Sequence, residues 1–276
     1  MNILFCGDKG VCEGIFLSAL SICKCVNEDL HFYILTAKVD GHNAIPPSFA
    51  DKLQNVICAK GKDRNVILLD ISENFKTYLP LANMGTRFTP FCMLRLFADT
   101  VTDIPDRILY LDTDVLCRAD FKELYYSNIE DIEIAGVPDR YGKWFFGNIF
   151  KHDYLNSGVL LMNMSNIRKS GLFEKCRCIC RDKKMFMPDQ SALNKLAVKR
   201  KVDAKYNTQG KIKHDTVFKH FTTFFRFFPY MRAVTIKPWH TDKLHNDLKI
   251  FEFDDIIQEY QRSNENEQNN PDLFYH

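Results

Sequence analysis

The sequence predicts an α/β fold with a mostly parallel central sheet flanked by helices, and three observations carry that prediction. Short apolar runs alternate with helix-like segments through the first half of the chain. With 276 residues, 46% of them hydrophobic, the chain is long enough to bury a sizeable core. The late apolar run Ile108-Leu109-Tyr110-Leu111 ends in two carboxylates, Asp112 and Asp114. Ligands of open α/β sheets bind beyond the carboxyl ends of strands, so chemistry belongs there.

Taken in order, strands are expected over 2–6, 30–36, 65–70 and 107–112. Helices are expected around 12–25, around 48–54 after Pro46-Pro47, and around 90–99 after Thr89-Pro90, since proline favours the first helical turn. Downstream, 132–137 and 157–162 read as strands, and 166–184 and 189–199 as helices. The pattern then loosens: residues 214–236 are rich in Phe and Thr with a break at Pro229, and 254–260 reads as a last short helix. Residues 263–270 are polar and Asn/Glu-rich, the composition of a mobile tail.

A formal net charge of +2 is too small for a general polyanion binder, and no nucleic-acid partner is expected. Basic residues do gather between Arg168 and Lys219, which fits either a solvated face or attraction to an anionic membrane. The aromatic and basic run Phe224–Tyr230 fits core, an acceptor wall or a membrane interface. No signal-peptide pattern and no membrane-spanning run is seen, so the ten cysteines are expected as reduced cytosolic thiols. Cys176, Cys178 and Cys180 lie two apart in a helical pattern, do not share a face, and have no second Cys/His pair at zinc spacing.

Asp112-Thr113-Asp114 carries the chemistry. Side chains two apart on a strand share a face, so the carboxylates repel unless a positive charge lies beside them. A hard divalent cation that also holds a phosphorylated substrate meets that need, while an acidic turn ending the strand is the plainer alternative. Several other segments accompany the pair in a fixed order: Asp8 after the first strand, Arg95 within Met93-Leu94-Arg95-Leu96-Phe97, Asn156-Ser157-Gly158 opening an apolar run, Met187-Pro188-Asp189-Gln190, and Lys237-Pro238-Trp239.

This ordered set, spanning residue 2 to about residue 240, resembles glycosyltransferase family 8, the retaining sugar transferases. The resemblance implies a GT-A fold with a Rossmann-like sheet extended by a mixed acceptor-side sheet. Residues 1–262 would form one domain, about 1–114 its nucleotide-binding half and about 115–262 its acceptor half, followed by the tail 263–276. It implies transfer of a hexose from UDP-glucose or UDP-galactose, with Mn²⁺ or Mg²⁺, to a saccharide or glycolipid acceptor in surface polysaccharide or lipopolysaccharide synthesis. The setting would be cytoplasmic or peripheral at the inner face of a membrane. By position, Asp112, Thr113 and Asp114 match the metal and donor motif, Asp8 the uracil or ribose contact, Arg95 the donor-sugar contact and Lys237 the diphosphate lysine. Asn156, Asp189 and Gln190 match residues at the reacting face.

One departure stands out. The family pattern His-x-x-Gly-x-x-Lys-Pro-Trp is absent before Lys237, which leaves His220 in Val217-Phe218-Lys219-His220-Phe221 as the candidate third metal ligand and His214 as the runner-up. The aromatic residue expected shortly after Asp8 is also missing. Gln190 is a poor nucleophile, which favours attack from the face of departure, with Asp189 the candidate for a double displacement. Two other functions are weighed: a nucleotide-sugar-binding protein without turnover, and a phosphatase or phosphotransferase of the haloacid-dehalogenase type. The latter usually opens its chain with the acidic pair and has Thr or Val where Leu116 stands.

Overall fold

The computed structural model describes residues 1–39, 41–59, 62–84, 90–141, 153–226 and 232–269. Residues 227–230 of the aromatic run, including Pro229, and the chain from 270 onward lie outside the described residues.

The expected strands form: β1 Asn2–Gly7, β2 Leu30–Thr36, β3 Arg64–Asp70, β4 Arg107–Leu111, β6 Ile134–Pro138 and β7 Leu155–Asn163, with the shorter β5 Val115–Cys117 and β8 Lys199–Lys201. Seven of them make one sheet in the order β3-β2-β1-β4-β7-β6-β8. Every pairing is parallel except those of β7, which runs against β4 and β6. The chain winds outward from β1 to β3 and returns to β4 on the other side of β1. That reversal opens a crevice beyond the carboxyl ends of β1 and β4, where Asp8 and Asp112 follow their strands.

Alternation along β1 divides the core between the two sheet faces: Ile3 and Phe5 join one apolar cluster, Leu4 and Cys6 the other. The helix Cys12–Cys25 is apolar nearly all round because it packs between the sheet and the last helix, where Phe16 meets Tyr260 at 5.1 Å. The segment Pro90–Thr100 forms, as a 3₁₀ helix.

Two expectations are corrected. The single helix over 166–184 is two, Met164–Ser170 and Leu172–Asp182, separated by Gly171 at φ +67°, a left-handed conformation that glycine takes without cost. The tail does not start at 263, because the last helix runs Asp254–Asn269. It is anchored by buried Ile256 and Ile257 and by a hydrogen bond from Lys52 to Asn264 at 2.6 Å. Its polar outer face mimics a disordered composition.

All ten cysteines are free thiols. Among the described residues no helix is long and apolar enough to cross a membrane. In the basic segment, Arg168, Arg177, Arg181 and Lys205 pair with Asp106, Asp99, Asp182 and Glu123.

Ile257→Ala tests whether the last helix is part of the core: the unfolding free energy should fall by about 2–4 kcal/mol in a urea titration. An effect below about 0.5 kcal/mol would detach the helix from the core.

Candidate active site

The acidic pair sits at the floor of a cleft of about 360 Å³ whose lining includes Asp8, Arg95, Asn156, Asp189, Gln190 and Lys237. The candidates that lay far apart in the sequence therefore converge on one concave surface.

The backbone of Asp112 is fixed first. Its N–H donates to the carbonyl of Gly158 at 2.8 Å, continuing the β4–β7 ladder by one residue. Its carboxylate accepts hydrogen bonds from Tyr110 at 2.7 Å and from Arg95 at 2.9 Å. After the turn, β5 pairs antiparallel with β9, Phe218–His220, and the register sets Val115 opposite His220. That pairing delivers His220 to the acidic pair: Nε2 lies 3.2 Å from Asp114 and 3.6 Å from Asp112. His214 is exposed on the loop before β9 and is not brought to the carboxylates.

Among the described residues, Asp112, Asp114 and His220 alone gather three metal-ligating side chains, with their ligand atoms within 4.8 Å of one another. The donor set, two carboxylates and an imidazole, suits Mg²⁺ or Mn²⁺. Ligand atoms about 2.1 Å from a shared cation in octahedral geometry lie about 3 Å apart, near the 3.2 and 3.6 Å that separate His220 Nε2 from the two carboxylates. These residues fit a divalent cation.

Glycine at 158 is what lets β7 run against this group. A Cβ there would stand 2.1 Å from the His220 ring and 2.8 Å from the Asp112 carboxylate. Gly14 does the same behind the motif, where a Cβ would meet the Thr113 carbonyl at 2.4 Å and the Trp239 ring at 2.7 Å. Trp239 thus packs the Lys-Pro-Trp turn against the first helix at Gly14, beside the acidic loop, and Lys237 reaches Asp114 in an ion pair. Burial pushes the Asp114 carboxyl up, but the charges and hydrogen bonds of His220 and Lys237 outweigh it and hold it well below the usual carboxylate range.

Arg95 is 3% exposed, buried rather than presented to solvent from its helix. It lies 4.0 Å over the Tyr110 ring, binds Asp112, and comes within 3.3 Å of Asp189. Asp189 is also nearly sealed, and burial pushes its carboxyl up against the opposing charge of Arg95. Gln190 is clamped at both ends, accepting from the Ser157 backbone at 2.9 Å and donating to Asp139 at 3.2 Å. Asn156 donates to the same Asp139 carboxylate at 2.9 Å. Asp8 stands 2.7 Å from His42 and caps the short turn Lys9–Val11.

Sequence reasoning missed Asp139 and Asn207. Asp139 follows β6 as Asp112 follows β4, so the same rule of carboxylates at strand ends could have found it. Asn207, 3.0 Å from His220 Nδ1, has no local sequence signal.

The Glycosyl transferase family 8 profile matches residues 2–243. The lipopolysaccharide 1,2-glucosyltransferase of Escherichia coli K12 is 25% identical over 91% of this chain and 76% of that protein. The lipopolysaccharide 1,3-galactosyltransferase of Salmonella typhimurium is 28% identical over 87% and 73%. A further Escherichia coli lipopolysaccharide 1,2-glucosyltransferase is 29% identical over 49% of this chain and 45% of its own length. In fold, the chain is similar to the galactosyltransferase LgtC solved with donor and acceptor sugar analogs, with a TM-score of 0.69, 18% identity, and coverage of 94% and 95%.

Gly158→Ala should displace the His220 ring and destabilise the protein by about 1–3 kcal/mol, read by thermal or urea unfolding; an unchanged midpoint would contradict the close approach. Lys219 supplies a pH test. It is 5% exposed, donates to the carbonyls of Gly210 and Thr208, and burial pushes its ammonium down to about 8. The unfolded chain holds that proton to about pH 10.4, so stability should rise between pH 8 and 10 by up to about 3 kcal/mol relative to Lys219→Met. Parallel curves for the two proteins would contradict it.

Proposed function

Because this chain belongs to glycosyltransferase family 8, we propose that it is a metal-dependent retaining hexosyltransferase, moving glucose or galactose from a UDP-sugar to a saccharide or lipid-linked saccharide of a surface polysaccharide. The observation that carries the proposal is the convergence of Asp112, Asp114 and His220 with Lys237, Arg95 and Gln190 around one cleft at the sheet reversal.

In this reading Asp112, Asp114 and His220 hold Mn²⁺ or Mg²⁺, which supplies Lewis-acid neutralisation of the charge on a diphosphate. Lys237, ion-paired with Asp114 at the edge of the same group, contributes its ammonium to the departing UDP. Asp8, at the end of β1, takes the nucleoside end, with Thr113 beside the diphosphate. Arg95, with the Asp112 and Asp189 carboxylates on either side, fixes the donor pocket and stays charged throughout.

The sealed Asp189 favours same-face attack over a covalent route. Its Oδ2 lies 3.3 Å from Arg95 and 3.4 Å from the Ser157 hydroxyl, so the group that would have to act as nucleophile is engaged elsewhere. The acceptor hydroxyl oxygen then bonds to the anomeric carbon on the face from which the β-phosphate oxygen departs, and its proton passes to that phosphate oxygen. Gln190, Asn156 and Asp139 present amide and carboxylate groups on the acceptor side.

Release of UDP from UDP-glucose and UDP-galactose, with and without Mn²⁺ and across a saccharide acceptor panel, tests the proposal. Turnover should require the metal, and Asp112→Asn or Lys237→Ala should each lower it by about 10²-fold or more. UDP binding without hydrolysis or transfer would favour a binding protein. No turnover of any UDP-sugar, together with UDP binding unaffected by Asp112→Asn, would overturn the reading.

A further inference from the structure

Behind His220 a directed set of hydrogen bonds runs from Asn207, which is not among the cleft-lining residues, to Asn156 and Asp139, which are. Asn207, 2% exposed at the end of the turn Ala204–Asn207, sets its Oδ1 3.0 Å from His220 Nδ1. Its Nδ2 donates to Asn156 Oδ1 at 2.8 Å, and Asn156 Nδ2 donates to Asp139 at 2.9 Å.

The direction of these bonds is determined by the backbone. The N–H of Gly158 donates to Asn156 at 3.0 Å, so the atom receiving it must be the amide oxygen. The other end of Asn156 is then the NH₂ facing the Asp139 carboxylate, as a carboxylate acceptor requires. Asn207 must in turn present its own NH₂ to the Asn156 oxygen, which leaves only its carbonyl for His220. An imidazole facing a carbonyl at Nδ1 carries its proton there, which leaves Nε2, the nitrogen facing Asp112 and Asp114, as the one that can ligate a cation.

We infer that Asn207 is the positioning residue of the metal centre: it fixes the His220 tautomer and ring orientation, and connects that ligand through Asn156 to Asp139 on the acceptor side. The inference rests on the reading of Asp112, Asp114 and His220 as a cation site. Partners of this kind commonly change metal affinity by 10–100-fold when removed, without touching the metal.

The backbone holds Asn207 in place independently of its side chain. Thr208 donates to Phe218 at 2.9 Å and His220 donates to Thr208 at 3.1 Å, so the turn stays sewn to β9 when the amide is replaced. The side chain can therefore be varied with the strand retained.

The test is direct titration of Mn²⁺ into donor-free protein, by calorimetry or by the electron paramagnetic resonance of free Mn²⁺, with the thermal midpoint of each variant measured alongside. Asn207→Leu and Asn207→Ala, which lack the acceptor, should bind about 10–100-fold more weakly than wild type. Asn207→Asp keeps an acceptor for Nδ1 but sets an oxygen against Asn156 Oδ1; it should melt lower than wild type while binding within about threefold of it. Affinity would then follow the acceptor and not stability. Wild-type affinity in both Asn207→Leu and Asn207→Ala, or affinities that track the thermal midpoints through all three variants, would overturn the inference. Failure of wild type to bind Mn²⁺ would instead overturn the metal reading, and the inference with it.

Discussion

Everything at the centre of this protein follows from the cost of placing two carboxylates at the end of a strand buried in a sheet. Asp114 is 7% exposed, and an isolated carboxylate there would protonate rather than remain charged. The fold answers with cations and donors drawn from four separate regions. Arg95 comes from the 3₁₀ helix, Tyr110 from β4 itself, His220 from β9 and Lys237 from the turn after β11, Arg232–Val234. Arg95, His220 and Lys237 each depend on a different long-range packing decision, so the acidic pair is held only when the fold is complete. Its geometry is therefore also a readout of the fold.

The same demand explains two glycines and one tryptophan. Gly158 lets β7 approach closely enough for its carbonyl to bind Asp112, and Gly14 lets the first long helix accept the acidic loop and Trp239 together. Both would be unremarkable from composition, and both are fixed by contact distance and not by backbone angle. Arg95 is a structural element of the site in its own right. It joins Asp112 to Asp189, which couples the acidic pair to the start of the helix Pro188–Leu196 through one buried guanidinium.

Much of this was legible in the sequence because the parallel strands are apolar runs with clear breaks. The strand prediction over 30–36 coincides with β2, and the helix prediction over 12–25 coincides with Cys12–Cys25. The ordered motifs around Asp8, Arg95, Asp112, Asn156, Asp189 and Lys237 could be read because each sits at an element end, where polarity changes abruptly. What escaped had no local period to show. β5 and β8 are three residues each, too short for alternation to register. The seat of His220 depends on the register of β5 against β9, segments about a hundred residues apart. Asn207 is a single polar residue on a turn, and Asp139 a single acid after a strand; only the folded chain shows that both belong to one hydrogen-bonded set. The long spacer between His220 and Lys237 begins and ends as the antiparallel pair of β10, Phe224–Arg226, with β11. An antiparallel strand pair therefore lies in sequence between two residues, His220 and Lys237, that both meet Asp114.

On the proposed reading, Asp112, Asp114 and His220 bind one divalent cation beside a nucleoside diphosphate. A crystal structure grown with Mn²⁺ and UDP, with anomalous scattering recorded at the manganese edge, tests it most directly. One strong anomalous peak is expected within about 2.3 Å of an oxygen of Asp112, an oxygen of Asp114 and Nε2 of His220, with the diphosphate beside it and Lys237 turned toward a phosphate oxygen. A peak that lacks the His220 nitrogen, or UDP seated in the cleft with no manganese between it and the acidic pair, would contradict it.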